Sequence, residues 1–78
     1  MKWWVIMKQM GKTITEYFND DNQKVVTLGV DESGHYCLDF YRNEEYQYSV
    51  SYPESSFNVV KDYAEDYALQ YNAKEKTR

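Results

Sequence analysis

His35, Cys37 and Asp39 fall at every second position of "HYCLD", so in an extended strand their side chains share one face. A thiol, an imidazole and a carboxylate are the ingredients of a cysteine nucleophile and of a metal site. Their spacing fits neither. Same-face neighbours on a strand lie about 6.5–7 Å apart at Cα, whereas a nucleophile and its base must meet within hydrogen-bond reach, near ~3 Å. A zinc ion needs three or four ligands, and Asp39 is the only further donor on this stretch. His35 reads instead as a solvated residue after a turn, and Cys37 as a small filler on an open face.

The other candidates for chemistry are carboxylate pairs: Asp20/Asp21, Asp31/Glu32 and Glu44/Glu45. General acid–base work needs a carboxyl in a cleft with a displaced pKa. These pairs sit at turn tips, where acids are solvated. Asp20–Asn22 starts like a calcium loop but lacks the glycine and the closing acid of that motif. Gly11, Gly29 and Gly34 make no phosphate-binding pattern. No catalytic activity, cofactor or metal is expected.

The chain has 78 residues, enough for one small domain with a thin core. Nine Tyr, three Phe and two Trp fill such a core with few positions. Cys37 is the lone cysteine, so no internal disulfide forms; a reducing compartment, most simply the cytoplasm, is expected. The apolar run Trp3–Met7 is short for a signal sequence, and no stretch is long enough to span a bilayer. The net charge of −4 is unevenly spread: residues 1–12 carry +3, residues 67–78 carry +2, and the middle carries −9. An acidic middle opposes direct nucleic-acid binding and permits a basic or mixed protein partner.

The elements that would position these residues follow from periodicity. Trp3–Gln9, Thr13–Phe18, Val25–Val30, His35–Tyr41 and Glu45–Tyr52 read as strands, separated by turn-forming "MGK", "NDDNQ", "DESG" and "RNEE". After Pro53 the period changes. Ser55 or Ser56 caps a helix in which Phe57, Val60, Tyr63, Ala64, Tyr67, Ala68 and Tyr71 share one face, and Lys61 pairs with Glu65. Asn72 ends it. The expected fold is α+β: a five-stranded antiparallel β-meander with one C-terminal amphipathic helix on one sheet face. The domain covers 1–72, and 73–78 reads as a frayed basic tail.

On this reading Val26, Leu28, Val30, Tyr36, Leu38, Phe40, Tyr46, Tyr48, Val50 and Tyr52 face the helix as core. Trp3 and Trp4 point to opposite faces, so one of them, assigned as Trp4, joins Tyr17 and Tyr41 on the open face. Exposed aromatics of this kind are the composition of a protein-binding surface. The expected function is a small acidic interaction module without catalysis, of the kind found among phage or bacterial accessory and inhibitor proteins. Its candidate contacts are Trp4, Tyr17, Tyr41 and the acids Asp20, Asp21, Asp31, Glu32, Glu44 and Glu45. An alternative use of those acids is to imitate phosphates and occupy a DNA- or RNA-binding protein. A homodimer is also compatible with the sequence, and no membrane association is expected.

Overall fold

Val26 and Leu28 are inaccessible to solvent, and the architecture is built outward from them. The structure, a computed structural model, describes residues 12–76. Its elements are β1 (Lys12–Phe18), β2 (Lys24–Val30), β3 (Tyr36–Arg42), β4 (Glu45–Tyr52), α1 (Phe57–Gln70) and β5 (Lys74–Lys76). The strands form one antiparallel sheet in the order β4-β3-β2-β1-β5. This is the expected α+β fold of five antiparallel strands and one helix. The expected strand Trp3–Gln9 lies outside the described residues.

The turns obey their residues. In the β2–β3 turn, Asp31 Oδ1 accepts from the Ser33 and His35 backbone N–H groups at 3.0 Å each, and Gly34 takes φ +85°. Between β1 and β2, Asn19 Oδ1 does the same for Asp21 and Gln23. The two-residue β3–β4 turn places Asn43 and Glu44 in the left-handed region, at φ 53° and 66°. That is the geometry a right-twisted hairpin asks for.

Ser56 caps α1, with its hydroxyl accepting from the Val59 N–H at 3.4 Å. Val60, Ala64 and Ala68 form the buried stripe. Two alanines let the helix axis approach the sheet closely, over β2 and β3. Together with Tyr17, Val25, Val26, Leu28, Leu38, Phe40 and Ala73 they make the core, flanked by Tyr36, Val50, Tyr52, Phe57 and Tyr67.

Residues 74–76 are a strand rather than a frayed tail. The helix ends in a reciprocal cap: Asn72, at φ 56°, donates to Leu69 O, and Ala73 N donates to Ala68 O at 2.9 Å. This cap turns the chain back along β1, where Lys74–Lys76 pairs with Glu16–Phe18. Two of the three charges of "KEK", Glu75 and Lys76, find partners there. Lys61 Nζ donates to Glu75 at 3.0 Å, Lys76 Nζ donates to Asn22 at 2.8 Å, and Lys76 lies 4.8 Å above the Phe18 ring. The first four strands are thus a meander, and the fifth arrives on the far edge through the helix.

Two facing assignments are corrected. Tyr17 is 2% exposed and belongs to the core beside Val26, not to the open face. The register of β1 slips between Thr13 and Thr15, leaving Ile14 46% exposed. The well-packed β2 thus decides which β1 residues face the helix. In the β3–β4 ladder a slip between Phe40 and Tyr41 pairs Phe40 with Tyr48 and Tyr41 with Tyr46. Gln47 is the extra residue, and every side chain before it changes face. Tyr46 therefore leaves the expected core row and stands with Tyr41 on the open face.

Glu44 occupies a backbone conformation that costs a side-chain-bearing residue about 1–2 kcal/mol. Replacing it with glycine relieves that strain and gives back part of the gain as unfolded-state entropy. Glu44→Gly is expected to raise unfolding free energy by about 0.5–1 kcal/mol in urea titrations. Gly34→Ala, at φ +85°, is expected to lower it by a similar amount.

Candidate functional site

The sheet face opposite α1 is a concavity of about 550 Å³, lined by residues including Gly29, Asp31, Cys37, Asp39, Tyr41 and Tyr46. Its floor is kept low by Gly29: a Cβ there would come within 2.5 Å of the Lys12 carbonyl oxygen. Lys12 and Thr13 form part of its rim.

Two carboxylates are held in place along this face. Asp39 accepts from the Ser49 hydroxyl on one oxygen, and from the Thr27 hydroxyl at 3.3 Å on the other. Asp31 accepts from the Ser51 hydroxyl at 2.9 Å, in addition to its two turn N–H groups. The His35 and Ser51 hydrogen bonds hold the Asp31 carboxyl below its ordinary pKa, so it stays ionised under mildly acidic conditions. Ser49 and Ser51 come from β4 and reach across β3, where Ser49 is opposite Asp39 and Ser51 opposite Cys37.

The aromatic part is the Tyr41–Tyr46 pair, whose rings meet edge to face with centroids 5.9 Å apart. Tyr46 also shares a 2.6 Å hydrogen bond with Ser49. Burial, then the nearby Asp39 charge, push the Tyr41 hydroxyl above its ordinary pKa, so it stays a neutral donor. Beside it the chain displays the chemistry this face prefers. Lys24 Nζ lies 5.1 Å from the Tyr41 ring centroid and 3.4 Å from a Glu16 carboxylate oxygen. A cation there is held by a ring face and an acid together.

Of the partner contacts expected from the sequence, Tyr41 and Asp31 line the concavity. Asp20 and Asp21 occupy the β1–β2 turn, Glu44 the β3–β4 turn and Glu45 the start of β4, at the same end of the sheet. Asp31 and Glu32 occupy the β2–β3 turn at the other end. The acids form two separated rims rather than one track. Tyr17 is excluded by burial, and Trp4 lies outside the described residues. Sequence reasoning missed Asp39, Ser49, Ser51 and Tyr46 as site residues. The polar alternation of "YSVSY" carried a signal for the serines. Nothing local marked the Gln47 bulge that brings in Tyr46.

His35, Cys37 and Asp39 do not assemble into a metal centre: among the described residues no group of three His, Cys, Asp or Glu side chains could hold an ion. Burial, reinforced by the negative charges of Asp39 and Asp31, pushes the Cys37 thiol up to about 11. Such a thiol is protonated at neutral pH and is a poor nucleophile. No family model, curated protein or solved structure matches this chain.

Cys37 is therefore expected to resist iodoacetamide at pH 8 in the folded protein and to react promptly in denaturant, as read by mass spectrometry. Asp31 gives a second check. Its depressed pKa contributes stability at pH values above the unfolded carboxyl's, and that contribution disappears as pH falls through the folded value. Thermal midpoints of wild type and Asp31→Asn are expected to differ at pH 7, with wild type higher, and to converge in strong acid.

Proposed function

We propose that this chain is a small non-catalytic interaction module that takes a basic segment of a protein partner into the concavity of its open sheet face. The observation that carries the reading is the pairing of tyrosine rings with fixed carboxylates on the face α1 leaves uncovered. Asp31 and Asp39 supply charge, and the Tyr41–Tyr46 pair supplies a flat apolar wall. The Glu16–Lys24–Tyr41 arrangement is an internal precedent, because it holds a lysine in the manner a partner's lysine or arginine would be held. The acids at both ends of the sheet would draw a basic partner in and make association salt-dependent. The inert Cys37 thiol supports a binding role over nucleophilic chemistry.

Random peptides displayed on phage and panned against the immobilised protein test this. Enriched peptides are expected to be lysine- or arginine-rich. Their affinity, measured by calorimetry, is expected to fall at least about fivefold in Asp39→Asn and in Tyr46→Ala, a loss of about 1 kcal/mol. Uncharged consensus peptides, or affinity indifferent to both substitutions, would overturn the reading. Competition by a DNA-binding protein for the acidic turns, with Tyr46→Ala without effect, would favour the phosphate-imitating alternative instead.

A further inference from the structure

β4 pairs only with β3 among the described residues, so its outer edge has no strand partner among them. Edge strands of this kind are usually guarded by lysines, prolines, bulges or brevity. Here the Gln47 bulge and Pro53 stand at either side of an unguarded stretch, Tyr48–Tyr52, which carries no charge. That stretch reads "YSVSY", the same in both directions about Val50.

An antiparallel strand paired with its own copy about a two-fold axis at residue 50 sets residue 50 − n opposite residue 50 + n. A palindromic strand is then self-complementary at every position. Val50 meets Val50 of the other copy, each Ser49 meets a Ser51, and each Tyr48 meets a Tyr52. Cross-strand aromatic pairs and hydroxyl pairs each stabilise such a ladder. From this self-complementarity we infer that β4 is the interface of a symmetric homodimer, in which two copies join edge to edge into one continuous sheet.

The surroundings of β4 fit that occupant. α1 is seated over β2 and β3, so the helix-side face of β4 is left partly open. Tyr48 is 53% exposed although its ring stacks on Phe40 at 4.8 Å. Tyr63, also about half exposed, meets Tyr52 at 5.3 Å and continues this aromatic ledge onto the helix flank. A two-fold axis normal to the sheet places both helices on the same side, with the two ledges facing each other. Each half-exposed tyrosine retains on the order of 100 Å² to bury. Tyr48 and Tyr63 of both copies would then contribute about 400 Å², a third of the roughly 1,200 Å² at the low end for a stable pair. The two five-residue strand segments and their serines supply the remainder. The arrangement is closed, because both copies use the same edge. It also sets the two open-face concavities side by side.

The 78-residue chain is the test sample. Sedimentation equilibrium from micromolar to millimolar concentration is expected to give twice the 9.4 kDa chain mass, dissociating on dilution. Register is read by oxidative cross-linking, with the buried Cys37 silent. Val50→Cys is expected to form a covalent dimer. Tyr48→Cys is expected not to, because the two copies of residue 48 would stand four positions apart, about 13 Å along the strands. A mixture of Ser49→Cys and Ser51→Cys chains is expected to cross-link more than either alone, which keeps the test open if Val50→Cys fails to fold. A monomer across the whole range would overturn the proposal. So would a dimer in which Tyr48→Cys cross-links as readily as Val50→Cys, or in which the mixed serine variants show no preference for each other.

Discussion

The close seating of α1 on β2 and β3 is the contact from which the rest of the molecule follows. Val60, Ala64 and Ala68 are buried against Val26, Leu28, Leu38 and Phe40, and the small side chains of the two alanines let the helix lie near the sheet. In a chain this short one helix covers only part of one sheet face. Placing it centrally seals the middle of the sheet at the expense of its β4 side. The same placement brings the helix's end beside β1, where the cap at Asn72 and Ala73 returns the chain as β5.

A charged cluster secures that return. Lys61 bridges Glu65 at 3.2 Å and Glu75 at 3.0 Å, joining helix to edge strand. Beneath it the Tyr17 hydroxyl is buried without a partner at hydrogen-bonding geometry among the described residues. Burial raises its pKa, and the Lys61 charge opposes part of that shift. The Glu75 hydrogen bond raises the Lys61 pKa above its ordinary value, keeping the ammonium charged. Exposed ion pairs contribute little on their own. Here they act with strand pairing and the Ala73 contact, so the edge of β1 is closed at Glu16–Phe18 by several weak terms together.

The two surfaces with prospective roles arise from what the helix does not cover. On the open face, side chains from β2, β3 and β4 meet around Asp39 and the Tyr41–Tyr46 pair. On the other face, the tyrosines of β4 and of the helix flank are half sealed. Polar hydroxyls on these rings tolerate water, which lets a small protein keep aromatic area exposed without precipitating. Tyrosine in place of phenylalanine is thus a surface choice as much as a core one.

Hydrophobic period and turn chemistry determined the element types, because both act within a few residues of one another. β2, β3, β4, the Ser56 cap and the Ala64–Ala68 stripe were legible for that reason, as was the placement of Tyr41 opposite the helix. Three features were decided by the tertiary structure. Tyr17 is core because β2 sets the register of β1, overriding the apolar pattern of Ile14 and Phe18. Tyr46 joins the open-face site because a single extra residue at Gln47 reverses the face of what precedes it, and a bulge leaves no periodic trace in eight residues. Lys74–Lys76 is a strand because its partners, Asn22, Phe18 and Lys61, are distant in sequence, so no local rule could connect them.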